Sequence, residues 1–102
     1  MWIVTKGRID GWMRQFPYTR QALQDWYGAA KRAEWTSIAD VRRLFPAADA
    51  VTVGSGRVVT VFNIRGNSYR MITAIHYNHG QVFMLRFLTH AEYDKGRWKV
   101  QL

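Results

Sequence analysis

Residues 69–88, with the sequence YRMITAIHYNHGQVFMLRFL, contain two runs that are rich in apolar and β-branched side chains. The runs Tyr69–Tyr77 and Gln81–Leu88 have a composition typical of β-strands. Between them lies Asn78-His79-Gly80, a short loop that ends on the residue type best suited to a left-handed backbone. This stretch therefore predicts an antiparallel β-hairpin.

The segments before the hairpin extend the prediction to a small sheet. Arg57–Ile64 is rich in β-branched residues and predicts a strand, joined to the hairpin by the tight turn Arg65–Ser68. Trp2–Thr5 is a candidate for one more strand. Together these segments predict an antiparallel sheet in the second half of the chain.

Three helices are predicted in the first half, because apolar residues recur there at helical spacing. Thr19 is a candidate cap for the second helix, and Thr36 or Ser37 for the third. Three apolar stripes should face the core: Ile9, Trp12, Met13 and Phe16; Leu23, Trp26, Tyr27, Ala30 and Ala33; Ile38, Val41, Leu44 and Phe45. The predicted fold class is α+β, with the N-terminal helices packed on one face of the sheet.

Length and composition limit the class of protein. The 102 residues, of which 48% are hydrophobic and 15% aromatic, suit one domain with one core. No apolar run approaches the roughly 20 residues of a membrane span, and the N-terminus carries no signal-peptide pattern. The chain has no cysteine, which excludes disulfides, thiolate zinc sites and cysteine nucleophiles. We expect a cytoplasmic protein.

The charge balance points to a polyanionic partner. Fifteen Lys and Arg residues against seven Asp and Glu give a net charge of +8, and eleven of the fifteen cations are Arg. The planar guanidinium group of Arg can donate two hydrogen bonds to one phosphate. Between Val51 and Ala91 there are four Arg and no acidic residue. Nucleic acid is therefore the leading class of partner.

The positions of the two loops predict how the strands pair. The expected pairs are Tyr77 with Gln81, Ile72 with Arg86, Arg70 with Leu88, Ile64 with Tyr69, and Asn63 with Arg70. Because side chains alternate between faces, one apolar face should pack against the helices: Phe62, Ile64, Tyr69, Met71, Ile75, Phe83, Leu85 and Phe87. The opposite face should carry Arg57, Asn63, Arg70, His76 and Arg86.

Arg70 and Arg86 are expected to be diagonal neighbours on that opposite face, roughly 7–8 Å apart. Two like charges at this separation destabilise a sheet unless an anion lies between them. One candidate anion is a carboxylate of Glu92 or Asp94, and the other is a phosphate. We favour the phosphate, because both acids lie in the C-terminal tail and Arg65 adds a third cation nearby. A register shift of one residue would invert the two faces.

The segment after the last strand should reach the same end of the sheet. Thr89–Glu92 has the form of a capping box, which predicts a helical turn that carries His90 and Tyr93. Cleavage of RNA requires deprotonation of a ribose 2′-OH, stabilisation of the extra negative charge, and protonation of the leaving oxygen. Imidazole suits the proton transfers, so His90 is the best candidate. Tyr93 is a weaker one that needs a depressed pKa, and His76 and His79 are less convincing.

Two segments of the sequence resemble a known family. Val61–Arg70, with the sequence VFNIRGNSYR, is similar to the FNIgGNkYR segment of HigB-type toxins in the RelE superfamily, and Thr89–Lys95, THAEYDK, resembles their tail motif. Trp26-Tyr27, Glu34-Trp35 and Ala39-Asp40-Val41 resemble the helical half of that family. The similarity extends from about Ile3 to Lys95.

This resemblance implies a ribosome-dependent mRNA endonuclease, the toxin of a type II toxin–antitoxin pair, over one domain spanning residues 1–102. It implies cleavage without a metal or other cofactor, and a HigA-like helix-turn-helix antitoxin as partner. Arg70 and Arg86 match the family's strand arginines, and His90 and Tyr93 match its tail motif. The polar and cationic candidates for RNA binding are Asn63, Arg65, Asn67, Arg57, Lys95, Arg97 and Lys99.

The sequence departs from the family pattern in two places. Arg65 stands where the family commonly has Gly, so the geometry of this turn is in question. Residues 96–102 have no clear counterpart, and a short strand and a basic flap against RNA are both open. Two other functions also remain open: a non-catalytic RNA-binding module, such as a degenerate toxin, and a protein-binding domain whose positive surface meets an acidic partner.

Overall fold

The computed structural model describes residues 1–102 as a five-stranded sheet with helices on both sides. The strands are β1 (Trp2–Ile3), β2 (Asp49–Thr52), β3 (Val58–Ile64), β4 (Tyr69–His76) and β5 (Gln81–Thr89). The helices are α1 (Lys6–Gln15), α2 (Arg20–Arg32), α3 (Ile38–Leu44), α4 (His90–Lys95) and α5 (Arg97–Gln101), and 3₁₀ turns occupy Pro17–Thr19 and Tyr77–His79. The predicted α+β class is confirmed, although two of the five helices follow the sheet.

The sheet has the strand order β1-β5-β4-β3-β2. Strand β1 runs parallel to β5, and all other neighbours are antiparallel. Strand β2 was not predicted, because its four residues include Asp49 and Ala50, types that are depleted in strands. This segment becomes a strand by pairing with β3, and the strand propensity of its own residues gives no sign of it. The candidate strand Trp2–Thr5 is shorter than expected, because the chain turns into α1 at Thr5.

The first three helices bury most of the predicted stripes. Ile9, Leu23, Trp26, Ala30 and Val41 are buried. The other stripe residues pack around them as partly buried side chains, with one exception. Leu44 was expected in the core and is 49% exposed. It is the last residue of α3, and the next residue, Phe45, places its ring against those of Trp26 and Phe62 instead.

The predicted helix caps are only partly correct. Thr19 precedes α2, but its hydroxyl donates a hydrogen bond to Phe16 O (2.7 Å) and does not cap the helix. The reason is that Thr19 itself has a helical backbone conformation at the end of a 3₁₀ turn. Ser37 occupies the position before α3 and also makes no side-chain cap. There the Asp40 carboxylate accepts hydrogen bonds from the amide and hydroxyl groups of Thr36.

Strands β4 and β5 pair in two registers that are separated by a β-bulge. His76 pairs with Gln81, so the predicted pairing of Tyr77 with Gln81 is wrong; Tyr77 belongs to the 3₁₀ turn, which makes the loop one residue longer. An irregularity between Ile72 and Thr73 then leaves Leu85 without a partner. From there the predicted register holds, with Ile72 opposite Arg86 and Arg70 opposite Leu88.

The bulge changes which side chains of β5 face the helices. Val82 and Met84 are buried in the main core. Phe83 and Leu85, which were predicted to lie there, are on the other face: Phe83 packs on the His76 ring (5.0 Å between centroids) and Leu85 packs against the second cluster described below. The other six residues of the predicted inner face do contact the main core. The prediction failed only in the part of β5 up to and including the unpaired residue Leu85.

A second hydrophobic cluster covers part of the opposite face of the sheet. It consists of Val53, Val59, Val61, Ile72 and Trp98. Trp98 belongs to α5, so residues 96–102 do not form a short strand; most of them form a helix that packs on the sheet. Helix α5 docks beside the β2–β3 hairpin, where the Gly54 amide donates to Lys99 O (2.8 Å) and a Cβ at position 54 would lie 3.0 Å from the same oxygen.

None of the five helices combines the length and the apolar character that crossing a membrane requires.

Candidate active site

The β3–β4 turn, the end of β5 and the start of α4 meet at one end of the sheet. The amide of His90 donates a hydrogen bond to Ser68 O (3.1 Å), which ties α4 to the turn. The predicted capping box is present: Thr89 Oγ1 accepts from the Glu92 amide (3.2 Å), and a Glu92 carboxylate oxygen accepts from the Thr89 amide (3.0 Å). These local bonds fix the first turn of α4 against the sheet.

Arg70 is held by neutral acceptors only. Its Nη1 donates to the carbonyl oxygens of Asn67 and Tyr69 (3.2 Å each), and its Nη2 donates to Asn67 Oδ1 (3.3 Å). Its guanidinium carbon lies 5.6 Å from the centre of the Tyr93 ring. Because none of these partners is anionic, the guanidinium group is oriented without being neutralised. Such a group can attract a phosphate at this end of the sheet.

Tyr93 lies between the cationic end of the sheet and α5. Its ring stacks on Trp98 with 5.1 Å between centroids, and Trp98 Nε1 donates to Tyr93 O (3.0 Å). Burial raises the pKa of Tyr93 above its ordinary value; the charges of Asp49 and Asp94 add to the shift and Arg70 opposes it. A proton-accepting role needed a depressed pKa, and the shift has the opposite direction. Tyr93 is a protonated phenol at neutral pH, suited to stacking or to donating a hydrogen bond.

His90 and Asp94 form a pair one helical turn apart on α4. His90 Nδ1 lies 2.8 Å from an Asp94 carboxylate oxygen. A carboxylate can only accept a hydrogen bond, so Nδ1 must carry the proton. The neutral imidazole then presents Nε2 as a proton acceptor, and the protonated imidazole presents it as a donor. Both side chains are about half exposed, which leaves the pair accessible to a substrate.

Arg86 occupies the predicted position on β5, opposite Ile72 and diagonal to Arg70. Its Nη1 donates to the carbonyl oxygen of Leu85 (2.8 Å). Neither Arg70 nor Arg86 forms a salt bridge. Of the two anions considered from the sequence, the carboxylate is therefore excluded in this structure, because Glu92 caps α4 and Asp94 pairs with His90.

The predicted RNA-binding residues divide into those near Arg70 and those far from it. Asn63 is exposed and lies directly opposite Arg70, and Asn67 provides two of its acceptors. Arg57 precedes the far end of β3, about 20 Å from Asn63 at the usual rise per residue. Lys95, Arg97 and Lys99 are exposed along α4 and α5. Lys99 lies over the Trp98 ring at 5.7 Å.

Arg65 has an unusual backbone conformation in the β3–β4 turn. It is the only non-glycine residue with positive φ, at 54°, a conformation that costs roughly 1–2 kcal/mol for a side chain with a Cβ. This explains why glycine suits the position, and why Arg65, which stands where the family commonly has Gly, introduces backbone strain in this turn. The side chain of Arg65 lies over the exposed ring of Tyr18, with 5.5 Å between the guanidinium carbon and the ring centre.

A large cavity lies away from Arg70 and His90, neither of which lines it. It measures about 750 Å³ and is lined mainly by apolar side chains, together with Arg57, His76 and Tyr77. No group of three or more His, Asp or Glu side chains is placed to hold a metal ion. His79 is exposed in the hairpin turn. The cationic groups and the His90–Asp94 pair thus lie on an open surface and not in this cavity.

The position of Asp94 beside His90 was not predicted from the sequence. The two residues are four apart in the chain, and this spacing on a helix brings their side chains together. This spacing could have indicated the pair, but from the sequence Asp94 was a candidate partner of the arginines only.

Comparison with known proteins gives two results. Residues 19–96 match the HigB toxin family, which is described as the RelE-like toxic component of a toxin–antitoxin system. The chain is also similar to the mRNA interferase HigB of Escherichia coli O6:H1, with 27% identity over 95 residues, which cover 93% of this chain and 90% of that protein.

Proposed function

The chain belongs to the HigB toxin family of RelE-like toxic components, and from this premise we propose that it is an endoribonuclease that cleaves mRNA on the ribosome. The observation that carries the proposal is the placement of an un-neutralised Arg70 beside the helix that holds the His90–Asp94 pair. The name of the similar E. coli protein, an mRNA interferase, agrees with this activity.

The proposed reaction is attack of a ribose 2′-oxygen on the adjacent phosphorus. The O2′–P bond forms, the P–O5′ bond breaks, and the products carry a 2′,3′-cyclic phosphate and a 5′-hydroxyl group. One proton leaves the 2′-OH and one reaches the leaving oxygen. The phosphorus gains negative charge on its outer oxygens in the transition state, and fixed cationic donors stabilise that charge.

We assign Arg70 to the developing charge on the phosphate. Asn67 and the Tyr69 carbonyl oxygen orient its guanidinium group before substrate binds, so little reorganisation is needed during the reaction. Arg86, diagonal to Arg70 on the same face, adds a second cation. Arginine itself cannot exchange a proton at neutral pH.

We assign a proton transfer to His90, because Asp94 fixes Nδ1 as a donor and leaves Nε2 for the substrate. Tyr93 contributes a stacking surface or a phenolic hydrogen bond, in keeping with its raised pKa. Asn63, Asn67 and Arg65 surround the same end of the sheet as RNA-binding residues, and Lys95, Arg97 and Lys99 extend the positive surface along α4 and α5. Arg57 lies too far from Arg70 to contact the same nucleotide.

Besides mRNA on the ribosome, we propose a protein partner for this chain and assign its activity to one domain. The family description implies a cognate antitoxin, and we propose one of the HigA-like helix-turn-helix type. We also propose that residues 1–102 act as one toxin domain. The family match covers residues 19–96; α1 and α5 lie outside that range and pack on the same sheet.

The test is an in vitro translation reaction in which mRNA cuts are mapped by primer extension. The wild type should cut within translated codons and leave 5′-hydroxyl ends. Arg70→Ala should lower the cleavage rate by about 10²–10³-fold, the usual effect of removing one donor to a transition-state oxyanion. Arg32→Ala, which removes one exposed cation from α2, is the matched control and should cut at the wild-type rate.

Two outcomes would contradict the proposal. Salt-dependent RNA binding by a wild type that yields no cut products would indicate a non-catalytic RNA-binding module. Full activity in Arg70→Ala, Arg86→Ala and His90→Ala would show that the reaction occurs elsewhere on the protein. Circular dichroism of each variant distinguishes a lost function from a lost fold.

A further inference from the structure

A second pair of guanidinium groups meets at the β-bulge of β5. Arg8, on α1, donates from Nη1 to the carbonyl oxygens of Met84 (3.0 Å) and Leu85 (3.1 Å). Arg86 donates from its own Nη1 to the same Leu85 oxygen (2.8 Å). Two cationic side chains, 78 positions apart in the sequence, therefore share one neutral acceptor.

The local backbone explains why they meet there. Strand β1 covers the edge of β5 only as far as Val82, whose carbonyl accepts from the Val4 amide (3.0 Å). Beyond it, Thr5 Oγ1 accepts from the Met84 amide (2.7 Å), and Arg8 covers the next two carbonyl groups. Leu85 has no partner on β4. The first turn of α1 thus brings Arg8 to the point where the ladder is interrupted.

The charge of this pair is not compensated within the protein. Neither Arg8 nor Arg86 forms a salt bridge, and Asp10, an acid on the same helix as Arg8, pairs with Lys6 instead (3.4 Å). Arg8 is exposed and Arg86 is half-buried, so an anion in solution can reach both. Two like charges at one oxygen repel each other, and an anion bound between them would remove that cost.

We propose that Arg8 and Arg86 form a phosphate-binding site for the RNA backbone, adjacent to the Arg70 site. This inference rests on the proposed function and extends it: the RNA that is cut beside Arg70 continues over β5, and its next phosphate binds between Arg8 and Arg86, so that Arg86 lies between the reacting phosphate and this one. Arg70 and Arg86 hold diagonal positions, roughly 7–8 Å apart, so a single strand can contact both. Arg8 is then a positioning residue outside the reacting centre.

A purely structural role for Arg8 gives a different expectation. If Arg8 only fastened α1 to the edge of β5, its removal would lower the melting temperature and leave the electrostatics of RNA binding unchanged. If it binds a phosphate, its removal releases one fewer counterion when RNA binds, and the salt dependence of binding becomes weaker. The salt dependence therefore separates the two roles.

The experiment measures binding of a 2′-O-methyl oligoribonucleotide, which lacks the attacking hydroxyl group, between 50 and about 300 mM KCl. In Arg8→Gln the slope of log K against log[salt] should become shallower by about 0.7, which corresponds to about fivefold weaker binding near 0.1 M salt. Arg8→Lys keeps the charge and should keep the slope. Arg32→Gln, an equal loss of charge on α2, should also keep it.

The outcomes separate this inference from the proposed function. A wild-type slope in Arg8→Gln, or no binding of the oligonucleotide by the wild type, overturns the phosphate site. If the wild type still cuts mRNA and Arg70→Ala does not, the proposed function stands without it. If the wild type neither binds nor cuts RNA, both fail. A shallower slope in Arg8→Gln with an unchanged slope in Arg8→Lys and Arg32→Gln supports the site.

Discussion

The two faces of the sheet differ in what covers them and in the charge they carry. The face under α1–α3 contributes to a core of fourteen buried residues. The other face has a cluster of five, to which α5 contributes Trp98. Beside that cluster, Arg70 and Arg86 remain without anionic partners. A sheet that is stabilised mainly from one side can leave uncompensated cations on the other, where a ligand can reach them.

The largest effect is expected from a truncation on the helix-covered face. Phe62 is fully buried and contacts the rings of Trp26 and Phe45, each 5.3 Å away between centroids. Phe62→Ala should lower the free energy of unfolding by about 3–5 kcal/mol, because it leaves a cavity in the aromatic part of the core. Urea unfolding followed by tryptophan fluorescence measures this loss. The molecules that remain folded should cut mRNA at the wild-type rate.

Trp98→Ala is the matched truncation on the other face. It also removes a buried ring and should cost stability, but it takes away the stacking partner of Tyr93 as well. Its folded fraction should therefore cut mRNA more slowly than that of Phe62→Ala. Equal activity per folded molecule in the two variants would contradict the division between a stabilising face and a functional one.

A smaller effect is expected from the strained turn at the functional end. Arg65→Gly removes the strain of the left-handed backbone, which should raise the free energy of unfolding by about 1–2 kcal/mol. Glycine also loses more backbone entropy on folding, which should lower it by about 0.5–1 kcal/mol. Unfolding by urea should show a net gain of about 0–1.5 kcal/mol. Gly66→Ala, at the neighbouring position with φ of 64°, should change stability in the opposite direction. A loss of stability in Arg65→Gly would show that the contact with Tyr18 outweighs the strain.

The smallest effect concerns the ionisation of Tyr93 and appears only at high pH. Because burial raises the pKa of Tyr93, its neutral form stabilises the fold below the unfolded-state pKa of 10.0, and this contribution is lost as the pH rises through the higher folded-state pKa. The melting temperature of Tyr93→Phe, relative to the wild type, should therefore increase above pH 10. Tyr18→Phe, at an exposed tyrosine, is the control. A constant difference between Tyr93→Phe and the wild type from pH 7 to 11 would mean that the ring is not desolvated.

Much of the fold followed from local patterns in the sequence. Alternation and turn residues predicted β3, β4 and β5, and helical spacing predicted α1, α2 and α3, because each pattern lies within one element. The bulge, β2 and the docking of α5 depend on partners elsewhere in the chain. Leu85 is an ordinary strand residue by type, and nothing in its neighbours shows that it will have no partner. Trp98 could be recognised as apolar but not assigned to a face.

The candidate site was predictable to a similar extent. The predicted strand register correctly placed Arg70 diagonal to Arg86, and the capping box correctly placed His90 and Tyr93 at the same end of the sheet as Arg70. The raised pKa of Tyr93 depends on burial against Trp98, which the sequence could not show. Arg8 was missed because it reaches β5 only through the parallel pairing of β1, a contact across 76 positions.

Because Leu85 is unpaired, its position in β5 responds to a deletion differently from the other positions of this strand. Before it, even-numbered side chains of β5 enter the helix-covered core, and after it odd-numbered ones do. A deletion elsewhere in β5 would turn apolar side chains outward, whereas deleting position 85 would restore an ordinary ladder with Ile72 still opposite Arg86. We therefore expect β5 to tolerate a deletion at position 85, at the cost of the one carbonyl group that Arg8 and Arg86 share.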